Sequence, residues 1–203
     1  MVLSNSEIWA IILAAGESKR MKEPKMLLPV QGKTMIEKTI TNVITSEVNN
    51  TLVVLGAFSN EIYDAISHLP VSVCINDKYV EGMLSSVQCG LCNIPGSAGA
   101  VLFVPGDQPL IEPLVINRVI NAYHESGKGI AMPVYEGKRG HPLLVSGKYM
   151  EEIKGFGTNE SLRSLACRHE DDVLEVIVDT PSVLKDFDTR EDYLAEINKS
   201  NKI

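Results

Sequence analysis

The stretch Ile8-Trp9-Ala10-Ile11-Ile12-Leu13-Ala14-Ala15-Gly16-Glu17-Ser18-Lys19-Arg20-Met21-Lys22-Glu23-Pro24-Lys25-Met26-Leu27-Leu28-Pro29 decides how this chain folds. Its first part, residues 8–13, is an apolar, β-branched run that stops abruptly at small residues. That is the pattern of a strand buried on both faces and opening into a loop. The loop is cationic: Lys19, Arg20, Lys22, Lys25 and Lys33 meet only Glu17 and Glu23 between residues 17 and 33. The segment is therefore locally +3 on a molecule whose formal net charge is −7. Small residues let backbone N–H groups approach a ligand closely, and cations at the loop's edge suit a bound polyphosphate.

Similar strand-like runs recur at residues 51–55, 71–75, 100–104, 129–133 and 173–178, with helical stretches at 34–45, 60–67, 84–92 and 113–125 between them. This alternation predicts an α/β fold, a three-layer α/β/α sandwich around a mostly parallel, Rossmann-like sheet. From Val134 the pattern changes. Glu136-Gly137-Lys138-Arg139-Gly140 reads as a turn between residues 132–135 and 142–145, a small β-hairpin excursion. Helical stretches at 148–154 and 159–168, a last strand and a helix from Glu191 complete the chain. No repeat or linker interrupts it, so residues 1–203 are expected to form a single domain. In such sheets ligands bind at the carboxyl ends of the strands. That rule singles out the cationic loop, the turn Pro105-Gly106-Asp107-Gln108-Pro109, and Asp186-Phe187-Asp188-Thr189.

With 44% hydrophobic and 22% charged residues the composition is that of an ordinary globular protein. The acidic balance argues against a nucleic-acid footprint. The run at 8–15 is too short to cross a bilayer, and Glu7 with no cation precedes it, unlike a secretory signal. A cytoplasmic protein with no membrane partner is expected. Four cysteines (Cys74, Cys89, Cys92, Cys167) make no disulfide framework in a chain of this length. Cys89-Gly90-Leu91-Cys92 has C-x-x-C spacing, but no second pair accompanies it. It reads as a helix interior in which Cys is a small hydrophobe.

Two familiar nucleotide motifs fail here. Gly32-Lys33-Thr34 has the tail of a P-loop, yet Leu27 stands where the first glycine is required. The dinucleotide fingerprint needs three glycines, and Gly16 stands alone. One glycine followed by Arg20 and Lys25 instead resembles the signature Leu-Ala-Ala-Gly-x-Ser-x-Arg-Met-Gly-x-x-Lys-x-Leu-Leu-Pro. That is the mark of the molybdopterin-type nucleotidyltransferases, the MobA-like or MocA-type NTP transferases. The match runs from Leu13 to Pro29 with one departure, Lys22 in place of the family's glycine. Four further blocks follow in order: Asn76-Asp77-Lys78-Tyr79 with Gly82 to Val87, Gly106 to Pro109, Gly140 to Val145, and Asp186 to Tyr193. Within the family the likeness is greatest to the molybdenum cofactor cytidylyltransferases.

This resemblance implies a Mg²⁺-dependent transfer in which an acceptor phosphate attacks the α-phosphorus of a nucleoside triphosphate and pyrophosphate leaves. Arg20 and Lys25 would be the catalytic cations, and Leu13, Ala14, Ala15 and Gly16 would line the nucleotide. Asn76, Gly82, Ser85 and Ser86 would meet the base, with a plain helix cap as the other reading for either serine. Asp107 and Asp188 would hold the metal, or else serve as a turn-former and a helix cap. Gly140, His141 and Pro142 would touch the acceptor, unless His141 is simply a core histidine. GTP-using relatives have glycine where this chain has Ala15; a methyl group there narrows the room for a purine, so CTP is expected. Molybdopterin is the first acceptor implied, with a molybdoenzyme or cofactor-insertion protein as a downstream partner. A sugar or polyol phosphate is a second acceptor reading. A non-catalytic nucleotide-binding protein that delivers cofactor is a third.

Overall fold

The computed structural model describes residues 7–200, with side chains through residue 196. Its strands are β1 (Ile8–Ala14), β2 (Pro29–Val30), β3 (Lys33–Thr34), β4 (Asn50–Leu55), β5 (Ser72–Ile75), β6 (Ala100–Pro105), β7 (Ile130–Tyr135), β8 (Lys138–Arg139), β9 (Leu143–Ser146) and β10 (Val173–Ile177). Its helices are α1 (Met35–Ile44), α2 (Ser59–Ile66), α3 (Met83–Cys92), α4 (Pro113–Ser126), α5 (Met150–Lys154), α6 (Leu162–Arg168) and α7 (Arg190–Ser200). The main sheet runs β10-β7-β9-β6-β1-β4-β5, with β8 alongside β7. Strands β6, β1, β4 and β5 are parallel, as is the β7–β10 pair.

Strand β1 has apolar side chains on both faces because both faces are covered. Ile8, Ala10, Ile12 and Ala14 join the core under α1, α2 and α4, while Ile11 joins the core under α3, α5 and α6. Successive strand residues point to opposite faces, so continuous hydrophobicity replaces alternation. Full burial of each such isoleucine is worth about 1.5–3 kcal/mol.

Two local features follow from the sequence in ways the motif reading did not anticipate. The chain does reverse at Glu136 and Gly137, and β8 pairs back onto β7. The arm that follows leaves the hairpin and enters the main sheet, where β9 runs antiparallel between β6 and β7. Its Leu143, Leu144 and Val145 are all buried, which a free hairpin arm would not allow. The P-loop-like Gly32-Lys33-Thr34 closes the turn and forms the second strand of the separate β2–β3 hairpin. Gly32 there has φ +82°, and Thr34 caps α1 in a reciprocal pairing with Glu37.

Cys89 lies on α3 with its sulfur 3.8 Å from Cys74 Sγ, and Cys92 is exposed. Burial, reinforced by Cys89, pushes the Cys74 thiol up to about 12. Among the described residues no group of three or more His, Cys, Asp or Glu can hold a metal ion, and no helix is long and apolar enough to cross a membrane.

Candidate active site

The chain passes from β1 out to β4 and β5, then returns to the other side of β1 as β6. This reversal makes the carboxyl ends of β1 and β6 a topological switch point, where open α/β sheets form a crevice. A cleft of about 450 Å³ lies there.

Beyond Ala14, the loop wraps the cleft by a tight turn at Ser18, whose φ is +52°. The Ser18 carbonyl accepts from the N–H groups of Met21 (2.9 Å) and Lys22 (3.1 Å), and its Oγ from the N–H of Lys25 (3.2 Å). Lys22 has φ +59°, the left-handed region that favours glycine. The one departure from the family signature thus falls where a side chain is strained. Lys22→Gly is expected to stabilise the protein by about 1 kcal/mol, a rise in melting temperature of roughly 2–4 °C read by thermal denaturation. An unchanged or lower melting temperature would show that the loop carries no such strain.

After the loop a single 3-10 turn buries Met26 in the core, and this anchor holds Lys25 over the cleft. Lys25 Nζ lies 2.5 Å from Asp107 Oδ2 and 3.2 Å from Asp188 Oδ1. Arg20 Nη1 lies 2.8 Å from the other oxygen of Asp188. Burial works against the charge on Lys25, but Asp107 and Asp188 outweigh it, and the ammonium titrates above the usual lysine range. Burial likewise raises the neighbouring Asp186 carboxyl, with help from the negative charge of Asp188 and Asp107.

Each carboxylate is placed by its backbone. Gly106 sits so close to β1 that an added Cβ would lie 3.0 Å from the Leu13 carbonyl. The Gly106 N–H bonds that same carbonyl at 2.9 Å, while its own oxygen accepts from Thr39 Oγ1 at 2.9 Å. Asp107 caps no helix; α4 begins after Glu112. Nor does Asp188 cap α7. Thr189 does this, its N–H and hydroxyl donating to Asp192 Oδ2 while its Oγ1 accepts the Asp192 N–H. Both aspartates are left to face the cations.

On the opposite wall, Gly82 has φ +104° and turns the chain into α3, bringing Met83 and Ser86 to the cleft. Asn76 is spent behind that wall. Its amide donates to Ser85 Oγ (2.9 Å) and Ser86 Oγ (3.0 Å), and its oxygen accepts the Lys78 N–H (3.0 Å). Ser85 in turn donates to the carbonyls of Lys78 and Gly82. Asn76 and Ser85 therefore hold the wall without lining it. At the floor, Ala15 is backed by Gly56. A Cβ at residue 56 would come within 2.7 Å of both the Ala15 carbonyl and Tyr79 Cβ.

A second cavity, of about 310 Å³, shares Arg20, Met83, Asp107 and Asp188 with the cleft and extends to Gln108, His141 and Asp186. Gly140 has no room for a side chain against Val183, and the His141 N–H bonds the Val183 carbonyl at 2.9 Å. Burial pushes the His141 imidazole below its usual range, against the pull of Asp107.

Of the residues singled out in the sequence, Leu13, Ala15, Gly16, Arg20 and Lys25 line the cleft from one side. Gly82, Ser86, Asp107 and Asp188 line it from the others. Gly140 and His141 line the adjoining cavity, whereas Ala14 and Pro142 are buried and border neither space. Sequence reasoning passed over Tyr79, Val80, Met83, Gln108, Asp186 and the supporting Gly56. All but Gly56 and Val80 sit within the blocks quoted above, and Val80 lies between the two halves of one, so proximity in sequence was the available signal.

The model of the MobA-like NTP transferase domain matches residues 10–182. Molybdenum cofactor cytidylyltransferase of Escherichia coli strain K12 is 25% identical over 201 residues, 98% of this chain and 100% of that protein. The bifunctional protein GlmU of Clostridium kluyveri is 36% identical over 120 residues, 58% of this chain. The chain spans about a quarter (26%) of that protein's length. Among solved structures, a nucleotidyl transferase from Methanothermobacter superposes with a TM-score of 0.83 and 25% identity, over 96% of this chain and 97% of that one.

Proposed function

The chain belongs to the MobA-like NTP transferase family, and from that premise we propose that it transfers CMP from CTP to the phosphate of a small-molecule acceptor, molybdopterin, releasing pyrophosphate. The observation that carries this reading is the gathering of Lys25, Arg20, Asp107 and Asp188 at one switch-point cleft. Two anions must meet there, and charge builds on the α-phosphoryl oxygens as the acceptor oxygen bonds to phosphorus and the bridge to the β-phosphate breaks. Fixed cations oppose that build-up without reorganising. Arg20 and Lys25 supply them, while the turn at Ser18 keeps both aimed inward. No general base is required, because a phosphate monoester is already ionised at neutral pH.

Asp107 and Asp188 suit a hard divalent cation. Both reach one positive centre, the Lys25 ammonium, and both present oxygen. Two carboxylates with phosphate oxygens and water make an ordinary Mg²⁺ shell, and that ion would offset the triphosphate's negative charge. CTP is favoured over GTP because the Ala15 methyl, backed closely by Gly56, narrows the room for a purine. The name of the Escherichia coli relative agrees with this choice of nucleotide and acceptor.

A melting series with the four triphosphates and Mg²⁺ tests the reading. At one hundred times its dissociation constant CTP stabilises by about 2.7 kcal/mol. For a chain of this length that is a shift of roughly 5–10 °C. A larger shift with GTP would overturn the base assignment. Pyrophosphate release that depends on molybdenum cofactor supports the acceptor, and release with a polyol phosphate instead would replace it. Binding without release would point to a delivery protein.

A further inference from the structure

Three buried side-chain polar atoms have no hydrogen-bond partner among the described residues: Trp9 Nε1, Gln108 Oε1 and His141 Nδ1. Trp9 is the second residue of β1, at the far end of the sheet. The other two line the same 310 Å³ cavity beside the cleft. Gln108 is 4% exposed, so water has little access to its amide. A buried polar atom left unpaired is costly, and two of them facing one cavity beside the cleft are groups that a ligand there would complete.

The surroundings hold both groups in place. Gln108 follows the Gly106 clamp on β1, and its carbonyl accepts the Ile111 N–H at 3.3 Å. His141 is tied to Val183 through its backbone, and burial disfavours the charged form of its ring. A neutral imidazole has one donor and one acceptor nitrogen, and a glutamine amide likewise offers both. Asp186 adds a further acceptor, Met83, Val183 and Leu184 supply apolar wall, and Arg139, held by Glu170 and Glu175, adds a second guanidinium. At the cavity's mouth stands Arg20, shared with the nucleotide cleft.

Resting on the nucleotidyl-transfer reading, we propose that Gln108, with His141, binds the body of the acceptor and sets acceptor specificity. The acceptor is a phosphate monoester whose phosphate lies toward Arg20 and whose remainder presents N–H or O–H donors to Gln108 Oε1. A phosphate on a plain hydrocarbon is excluded, because its body would cover both polar groups and leave them unpaired. A heterocycle with an amide-like edge and a polyol both supply the required donors, and the two are separated by experiment.

The test is calorimetry on the full chain loaded with Mg²⁺ and α,β-methylene CTP, titrated with a phosphorylated pterin in one arm and a polyol phosphate in the other. The wild type is expected to bind one of them, and that arm identifies the source of the donors. Gln108→Met, near in size and without the amide, is expected to weaken that probe by about 10- to 100-fold. Affinity for the CTP analogue should stay within twofold. Equal probe affinity in the variant overturns the proposal, even with a raised melting temperature, because that pairing is what a purely structural glutamine would give. Failure of both probes on nucleotide-loaded wild type also overturns it. A wild type that does not take the CTP analogue removes the transferase reading itself, and this inference with it.

Discussion

Replacing Lys25 with alanine is expected to lower turnover by about 10²–10³-fold, the loss typical of one preorganised electrostatic donor. The side chain is 11% exposed and, among the described residues, it alone pairs with both Asp107 and Asp188. Arg20 does not substitute, since its side chain is 68% exposed and it engages Asp188 alone. The variant has a second expected signature. In the ligand-free protein Lys25 neutralises Asp107 and Asp188, and its removal leaves these carboxylates to attract another cation. Mn²⁺ added without nucleotide should therefore bind Lys25→Ala more tightly than wild type, while pyrophosphate release at saturating CTP falls. Near-normal release by the variant would remove Lys25 from the chemistry. Loss of release without the gain in metal affinity would separate its catalytic role from its role as internal counter-ion.

How far the site could be read from sequence depended on whether its residues carry a local signal. The continuous apolar run of β1 announced a strand covered on both faces, and the cations after it marked the ligand end of the sheet. Asp107 followed because a carboxylate after a buried strand must emerge at that same edge. Asp188 was ambiguous, since an acidic residue just before a helix is also a good cap; only the pairing of Thr189 with Asp192 leaves it free. Asn76 shows a different limit. Its place in a shared block was legible, but whether an amide faces the ligand or ties two serines together depends on side-chain direction. The insertion of β9 between β6 and β7 is a non-local pairing, and a turn motif carries no information about which strand will accept its second arm. Gly56 and Gly106 are required by close approach of distant backbone, which has no sequence period at all.

Asp107→Asn is expected to cost more than any other single change at the site, reducing divalent-metal-dependent turnover by about 10³-fold or more. Metal-assisted charge stabilisation is worth several kcal/mol, and each 1.36 kcal/mol is tenfold in rate. The substitution keeps the side chain's shape and removes only the charge. Lys25 retains Asp188 as a partner at 3.2 Å, and the Gly106 bonds to Leu13 and Thr39 still hold the turn. The fold should therefore survive, with an unaltered circular dichroism spectrum and a melting temperature within a few degrees of wild type. Mn²⁺ binding in the presence of CTP should fall together with turnover. Asp188→Asn is the internal comparison: its side chain is more exposed (28% against 15%) and already shared with Arg20, so a smaller loss is expected. If Asp107→Asn turns over normally with bound metal, Asp107 is a structural counter-ion to Lys25 and the metal lies elsewhere. If the two variants lose activity equally, the two carboxylates act as one site and neither dominates.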